Sequence, residues 1–152
     1  MDSEYTVQDR VIRFLRGKLH YVPMGNLKHE ENRNIKEDRL REFLAKQGYS
    51  KTIARKAITV LRREAGAVQQ GLYAANKAVY GRLKYGVKVK ERVEEPEQTV
   101  YFIDFAHPER NEFAVAWEVM VRSEQEKRPD LVLYLNGIAI AVLELKKSCV
   151  SV

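Results

Sequence analysis

One cysteine, three histidines, one tryptophan and four prolines in 152 residues remove several classes of protein at once. A lone Cys149 cannot close an internal disulfide, which fits a reducing, cytoplasmic setting. His20, His29 and His107 are scattered without ligand spacing, so a zinc centre is not expected. No apolar run is long enough to span a bilayer, and the opening MDSEYTVQDR lacks the apolar core of a signal peptide, so no membrane partner is expected. Acids are the scarcer charge: 21 Asp and Glu against 27 Lys and Arg leave a formal charge of +6. That is a mild bias toward an anionic partner and decides nothing alone.

What is present is the make-up of an ordinary globular protein, 45% apolar and 32% charged, with length enough for one domain and a real core. Thr6 to Leu19 reads as an amphipathic helix with Val7, Val11, Phe14, Leu15 and Leu19 on one stripe. Tyr21-Val22-Pro23 is a short strand or extended link, and residues 26–34 are polar loop. A helix over about 35–47 buries Leu40, Phe43 and Leu44 and stops at Gly48. Ser50 opens the next, with Ile53, Ala57, Ile58 and Leu61 inward and Gly66 just past its end. A fourth covers about 69–84, with Leu72, Ala75, Val79 and Leu83 inward. Arg55, Lys56, Arg62 and Arg63 form a basic outer face, which is a solvated surface more often than a DNA track. From Val87 the period changes to that of strands: 87–90 as a lysine-guarded edge, 99–105, and 113–121 with Phe113, Val115, Trp117, Val119 and Val121 on one face. Trp117 and the tyrosines are expected to be core rather than base-stacking residues. N-terminal helices followed by about five strands predict an α+β domain with a mixed, mainly antiparallel sheet.

The most informative stretch is RPDLVLYLNGIAIAVLELKK, residues 128–147. Leu131 to Leu135 and Ile138 to Leu145 are β-prone apolar runs, and Asn136-Gly137 between them tolerates the positive φ of a tight turn. The open end of this hairpin gathers two carboxylates, Asp130 and Glu144, and the amine of Lys146. Two carboxylates suit Mg²⁺, which takes oxygen ligands and keeps waters. A lysine beside them can orient a water or offset charge on a phosphate. Glu144 and Lys146, two apart, share a face of a strand, while Leu145 points to the buried layer and leaves its carbonyl as a further ligand. Spacing alone is a weak signal. Glu144 strengthens it by interrupting a buried run, where a carboxylate is costly unless paired or metal-bound.

Parity supplies a test. A plain two-residue turn pairs Leu135 with Ile138 and sets Asp130 opposite Leu143, on the wrong face. An odd loop, or an Asn-Gly turn followed by a G1 bulge, returns Asp130 to the face of Glu144 and Lys146.

Arg128-Pro129-Asp130, Asn136-Gly137 and Glu144-Leu145-Lys146 together resemble the PD-(D/E)xK nuclease core of the restriction subunit (HsdR) of type I restriction–modification enzymes. The likeness extends upstream through Ile103-Asp104-Phe105, Pro108 and Asn111-Glu112-Phe113, and through 75–80 and 83–87. Ala139-Ile140 departs from it, since a proline often follows the Asn-Gly in the family. The resemblance implies a Mg²⁺-dependent DNA endonuclease domain, with Asp130 and Glu144 holding the metal and Lys146 completing the catalytic set. It also implies double-stranded DNA as substrate and the methyltransferase and specificity subunits as partners. ATP enters only in the full-length subunit, through helicase lobes. Such nucleases often carry an acid on the first helix, for which Glu4 is the nearest candidate and Gln8 its neighbour on the same face. The family continues into a helix bearing Gln-x-x-x-Tyr and two helicase lobes, so these 152 residues read as a single, truncated N-terminal domain. Leu143, Leu145 and Val150 are then expected to lose part of their cover, and the fragment to self-associate and to cut weakly or not at all. The rival reading is a non-catalytic module that docks on DNA or on partner subunits.

Overall fold

Alternating apolar residues over three successive segments build the central sheet of the computed structural model, which describes residues 4–30, 33–119 and 129–146. Strands β4 (Phe113–Trp117), β5 (Leu131–Leu135) and β6 (Ile138–Leu143) pair as an antiparallel meander. Strand β1 (Val22–Asn26) joins β4 in parallel, giving a mixed sheet of order β1-β4-β5-β6. Ahead of it lies helix α1 (Glu4–Lys18). These elements form one compact unit, drawn from Met1–Asn34 and Glu112–Val152; the other unit is Ile35–Asn111. The α+β class read from the sequence is the one observed.

The first unit has a core on each face of its sheet. On one face Ile12 and Leu15 of α1 pack with Val115 and Leu131, and Leu133, Leu143 and Leu145 lie against them. On the other, Leu27, Ala114, Ala116, Val119, Val132 and Tyr134 form the second cluster. Residues of β4 and β5 therefore alternate between the two cores, as strand geometry requires. The inward stripe of α1 is Gln8, Ile12 and Leu15, whereas Phe14 and Leu19 are exposed. The helix is turned from the expected face because Ile12, not Phe14, meets the sheet.

Strand β4 is also shorter than the predicted 113–121. Glu118 adopts a left-handed φ of 56°, which ends the alternation and sends Val119 into the core opposite that of Val115. Val121, the connection 123–127, Arg128, Cys149 and Val150 lie outside the described residues.

In the second unit α2 (Glu37–Lys46) buries Leu40, Phe43 and Leu44, and α3 (Lys51–Gly66) buries Ile53, Ala54, Ala57, Ile58 and Leu61. Ser50 caps α3, its hydroxyl accepting from the Ile53 N–H at 3.2 Å. Helix α4 (Leu72–Tyr85) departs most from expectation: only Ala75 is buried, and Leu72 is 70% exposed. A short 3₁₀ turn over Val68–Gln70 precedes it, and Gly86 ends it at φ 75°. A Cβ at Gly86 would stand 2.6 Å from the Val100 carbonyl oxygen, so only glycine fits there. Strands β2 (Val87–Val89) and β3 (Gln98–Val100) then pair as a separate antiparallel ribbon, with Val87 and Val89 buried and Lys88 outward. Residues 101–105 are irregular, because Asp104 is tied into a knot instead of a strand. Its N–H donates to Asn111 Oδ1 at 2.9 Å, and Asn111 Nδ2 donates to the Asp104 carbonyl at 2.8 Å. Its carboxylate caps the His107 N–H at 2.9 Å.

Candidate active site

The hairpin turn fixes the site's register. Asn136 and Gly137 have φ of 51° and 83°, the conformation a two-residue turn demands, and Leu135 pairs with Ile138. By parity that turn alone would set Asp130 opposite Leu143. The ladder, however, pairs Leu133 with Ala141 and Tyr134 with Ala139, leaving Ile140 as one extra residue. The bulge expected beside the glycine is thus found further along the strand. Its consequence for parity is the same: Leu131 faces Leu143, and one further step sets Asp130 against Glu144.

Asn136 anchors the blind end. It is fully buried, its Oδ1 accepts from the Glu112 N–H at 2.8 Å, and its own N–H donates to the Glu112 carbonyl at 2.8 Å. The Ala139 N–H donates to the Asn34 carbonyl at 2.8 Å. The turn and both chain connections of this unit are therefore held together by hydrogen bonds.

At the open end the Leu145 N–H donates to Asp130 Oδ2 at 2.5 Å. Asp130 is thus bonded to the residue between Glu144 and Lys146. Leu143 and Leu145 both pack on the α1 face. Alternation then turns Glu144 and Lys146 to the opposite face, where both are exposed. Asp130 precedes Leu131, which also packs on the α1 face, so Asp130 shares their side of the sheet. The second oxygen of Asp130 and the carboxylate of Glu144 are hard oxygen donors of the kind Mg²⁺ prefers. Among the described residues no group of three His, Cys, Asp or Glu gathers that could hold a metal ion.

Gln8 is buried on α1 and lines a cleft of about 410 Å³ with Asp9, Arg16, Asn26, Lys28, Trp117 and Glu118. Trp117 pairs with Leu131, so this cleft lies at the same end of the sheet as Asp130. It opens on the α1 side, away from Glu144. The Glu4 side chain lies outside what the structure describes. Glu118 is an acid that sequence reading passed over, because a continuous strand would have made it an unremarkable outward residue. Leu143 and Leu145, expected to lose part of their cover, are half-buried; the exposed apolar residues of β6 are Ile140 and Val142.

With this geometry in hand, comparison with known proteins decides the family. The model of the type I restriction enzyme R protein N terminus matches residues 1–152. The chain belongs to that family. A Methanocaldococcus jannaschii protein named for the type I restriction enzyme MjaIXP endonuclease subunit is 42% identical over 76 residues, 46% of this chain and 7% of its own length. The type I restriction enzyme HindI endonuclease subunit of Haemophilus influenzae is 30% identical over 79 residues, 49% of this chain and 8% of its own length. The aligned stretch thus spans less than a tenth of either relative. No solved structure matches. No described helix is long and apolar enough to cross a membrane.

Proposed function

We propose that this R-subunit N-terminal domain is a Mg²⁺-dependent endonuclease that hydrolyses phosphodiesters of double-stranded DNA. The observation that carries the reading is the bulge at Ile140, which sets Asp130 against Glu144 with the Leu145 N–H on its carboxylate. Asp130 and Glu144 would hold the metal, and that hydrogen bond fixes one oxygen of the Asp130 carboxylate. Bound Mg²⁺ would acidify a water and offset charge on the attacked phosphate. Lys146, on the same face, positions the water and stabilises charge developing on the phosphate oxygens. Nothing in this constellation reads bases. By the family resemblance sequence choice belongs to a specificity subunit, and the methyltransferase subunit and ATP-driven lobes belong to the complete enzyme.

The test is nicking of supercoiled plasmid with Mg²⁺ or Mn²⁺, alongside calorimetric metal titration. Glu144→Ala and Asp130→Ala are expected to lose both metal binding and nicking. Lys146→Ala is expected to keep metal binding largely intact while nicking falls about 10²-fold or more, because lysine supplies charge and not ligation. Equal metal binding by Glu144→Ala and the parent would remove the metal assignment.

A further inference from the structure

Helix α4 presents a surface that the hairpin site does not use. Its sequence LYAANKAVYGRLKY contains no acid and three cations. At 100° per residue Tyr73, Asn76, Lys77, Tyr80 and Lys84 fall within about a third of the helix circumference, one stripe about three turns long. That stripe faces solvent: Tyr73 is 81% and Tyr80 63% exposed, and Lys77 and Lys84 are exposed too. Each of these tyrosines leaves a large ring in water.

The cations of α4 divide by role. Arg82 is spent on Glu64, at 2.9 Å. Lys77 has no ionic partner among the described residues, and Lys84 sits over the rings of Tyr80 and Tyr85, at 5.9 and 5.2 Å from their centroids. Those contacts join ring and charge into one feature without neutralising the charge. The α3 face is more basic, and its Arg55 and Arg63 are exposed with no ion pair among the described residues, but its other two cations are engaged. There Arg62 pairs with Glu37 at 3.1 Å, and Lys56 donates to the Lys90 and Glu91 carbonyls at 2.7 and 3.0 Å. The acids Glu91, Glu94, Glu95 and Glu97 lie beyond the Val89–Gln98 pair, at the end of the ribbon remote from α4.

From these observations we infer that the exposed α4 stripe is a docking surface for the phosphate backbone of duplex DNA, separate from the hairpin carboxylates. Lys77 and Lys84 meet phosphates, and the Tyr73 and Tyr80 hydroxyls donate to phosphate or sugar oxygens while their rings cover the sugars. Such contacts position a protein on the duplex without reading its sequence. An acid-free helix with unneutralised lysines fits a polyanion and does not fit a second copy of this basic chain. The choice of DNA over another phosphodiester polymer rests on the nuclease reading; the surface itself does not.

Fluorescence anisotropy of a labelled DNA duplex with the 152-residue chain, in EDTA, tests the inference without cleavage. At about 50 mM salt the parent is expected to bind, and K77E/K84E to bind at least tenfold more weakly, with a salt slope shallower by about two. Tyr73→Ala/Tyr80→Ala is expected to weaken binding several-fold at unchanged slope. Circular dichroism and melting of each variant should match the parent, because every altered side chain is exposed. Absence of parental binding, or parental affinity in K77E/K84E, overturns the inference. So does tighter binding of an RNA duplex, or a change in mass by light scattering as the sole effect of the charge reversal. Nicking that survives K77E/K84E with unaltered affinity leaves the nuclease reading standing and removes this one. DNA binding by a chain that never nicks does the reverse.

Discussion

Tyr134 carries a buried side-chain oxygen that has no hydrogen-bond partner among the described residues. Its ring is fully buried in the core cluster with Leu27, Ala114 and Val132, so the hydroxyl is desolvated for no compensating bond. Burial, and secondarily the charge of Glu30, push its phenol above the usual tyrosine range. The sign follows directly. A group whose folded pKa is raised contributes stability that is fully present below its unfolded value, here about 10. That contribution is lost as pH rises through the folded value. Tyr134→Phe is therefore expected to be neutral or stabilising by about 1 kcal/mol at pH 7, and to flatten the alkaline fall in stability. Urea unfolding at neutral pH and above pH ~10 measures both. A loss of more than about 2 kcal/mol at neutral pH would mean the hydroxyl is satisfied after all, a cost seen when a buried hydrogen bond is broken.

At the scale of elements, the bulge in β6 decides more than any single side chain. Ile140 is the one residue added to an otherwise regular ladder, and it is half exposed, so its side chain contributes little. What matters is the count. Deleting Ile140 would restore plain pairing and turn Leu143 and Leu145 away from Ile12 and Leu15 while turning Glu144 inward. The expected result is loss of nicking to background and destabilisation by about 3 kcal/mol or more, from lost burial and a desolvated carboxylate. Ile140→Ala keeps the count and should stay within about 1 kcal/mol of the parent. A deletion variant that melts and nicks like the parent would show that the sheet reaches this register without the extra residue. How far the sequence shows such features depends on the signal each one leaves. The turn, and the need for a parity shift, were legible because Asn-Gly and the Asp130/Glu144/Lys146 pattern conflict without one. The position of the bulge was not, since no residue type marks Ile140. Helices α2 and α3 were legible to their caps, Ser50 and Gly48, because strong apolar periodicity coincides with capping chemistry. Helix α4 was not: its apolar residues occupy both faces, so periodicity could not say that Tyr73 and Tyr80 point outward. Strand β4 was overrun at Glu118 because a left-handed φ at a glutamate leaves no trace in composition.

The whole molecule is built around an interruption: the sheet unit is assembled from both ends of the chain, with Ile35–Asn111 between them. Each core cluster of the sheet unit draws only on residues of that unit. The chain leaves it at Asn34, whose carbonyl accepts from the Ala139 N–H, and re-enters at Glu112, which exchanges bonds with Asn136. Exit and re-entry are thus both fastened to the same hairpin turn, at the end of β5 and β6 away from Asp130 and Glu144. A unit with its own core and adjacent crossing points tolerates removal of what lies between, because little loop-closure entropy is at stake. Replacing residues 35–111 by a short Gly/Ser linker is therefore expected to leave a sheet unit that unfolds cooperatively. On the nuclease reading it should still bind Mg²⁺ through Asp130 and Glu144. With α4 gone, its affinity for duplex DNA in EDTA should fall at least as far as that of K77E/K84E. Circular dichroism melting, metal titration and anisotropy on the same preparation separate the three expectations. A chain without a cooperative transition would show that the sheet needs the intervening helices to fold, and that the two units are one thermodynamic body.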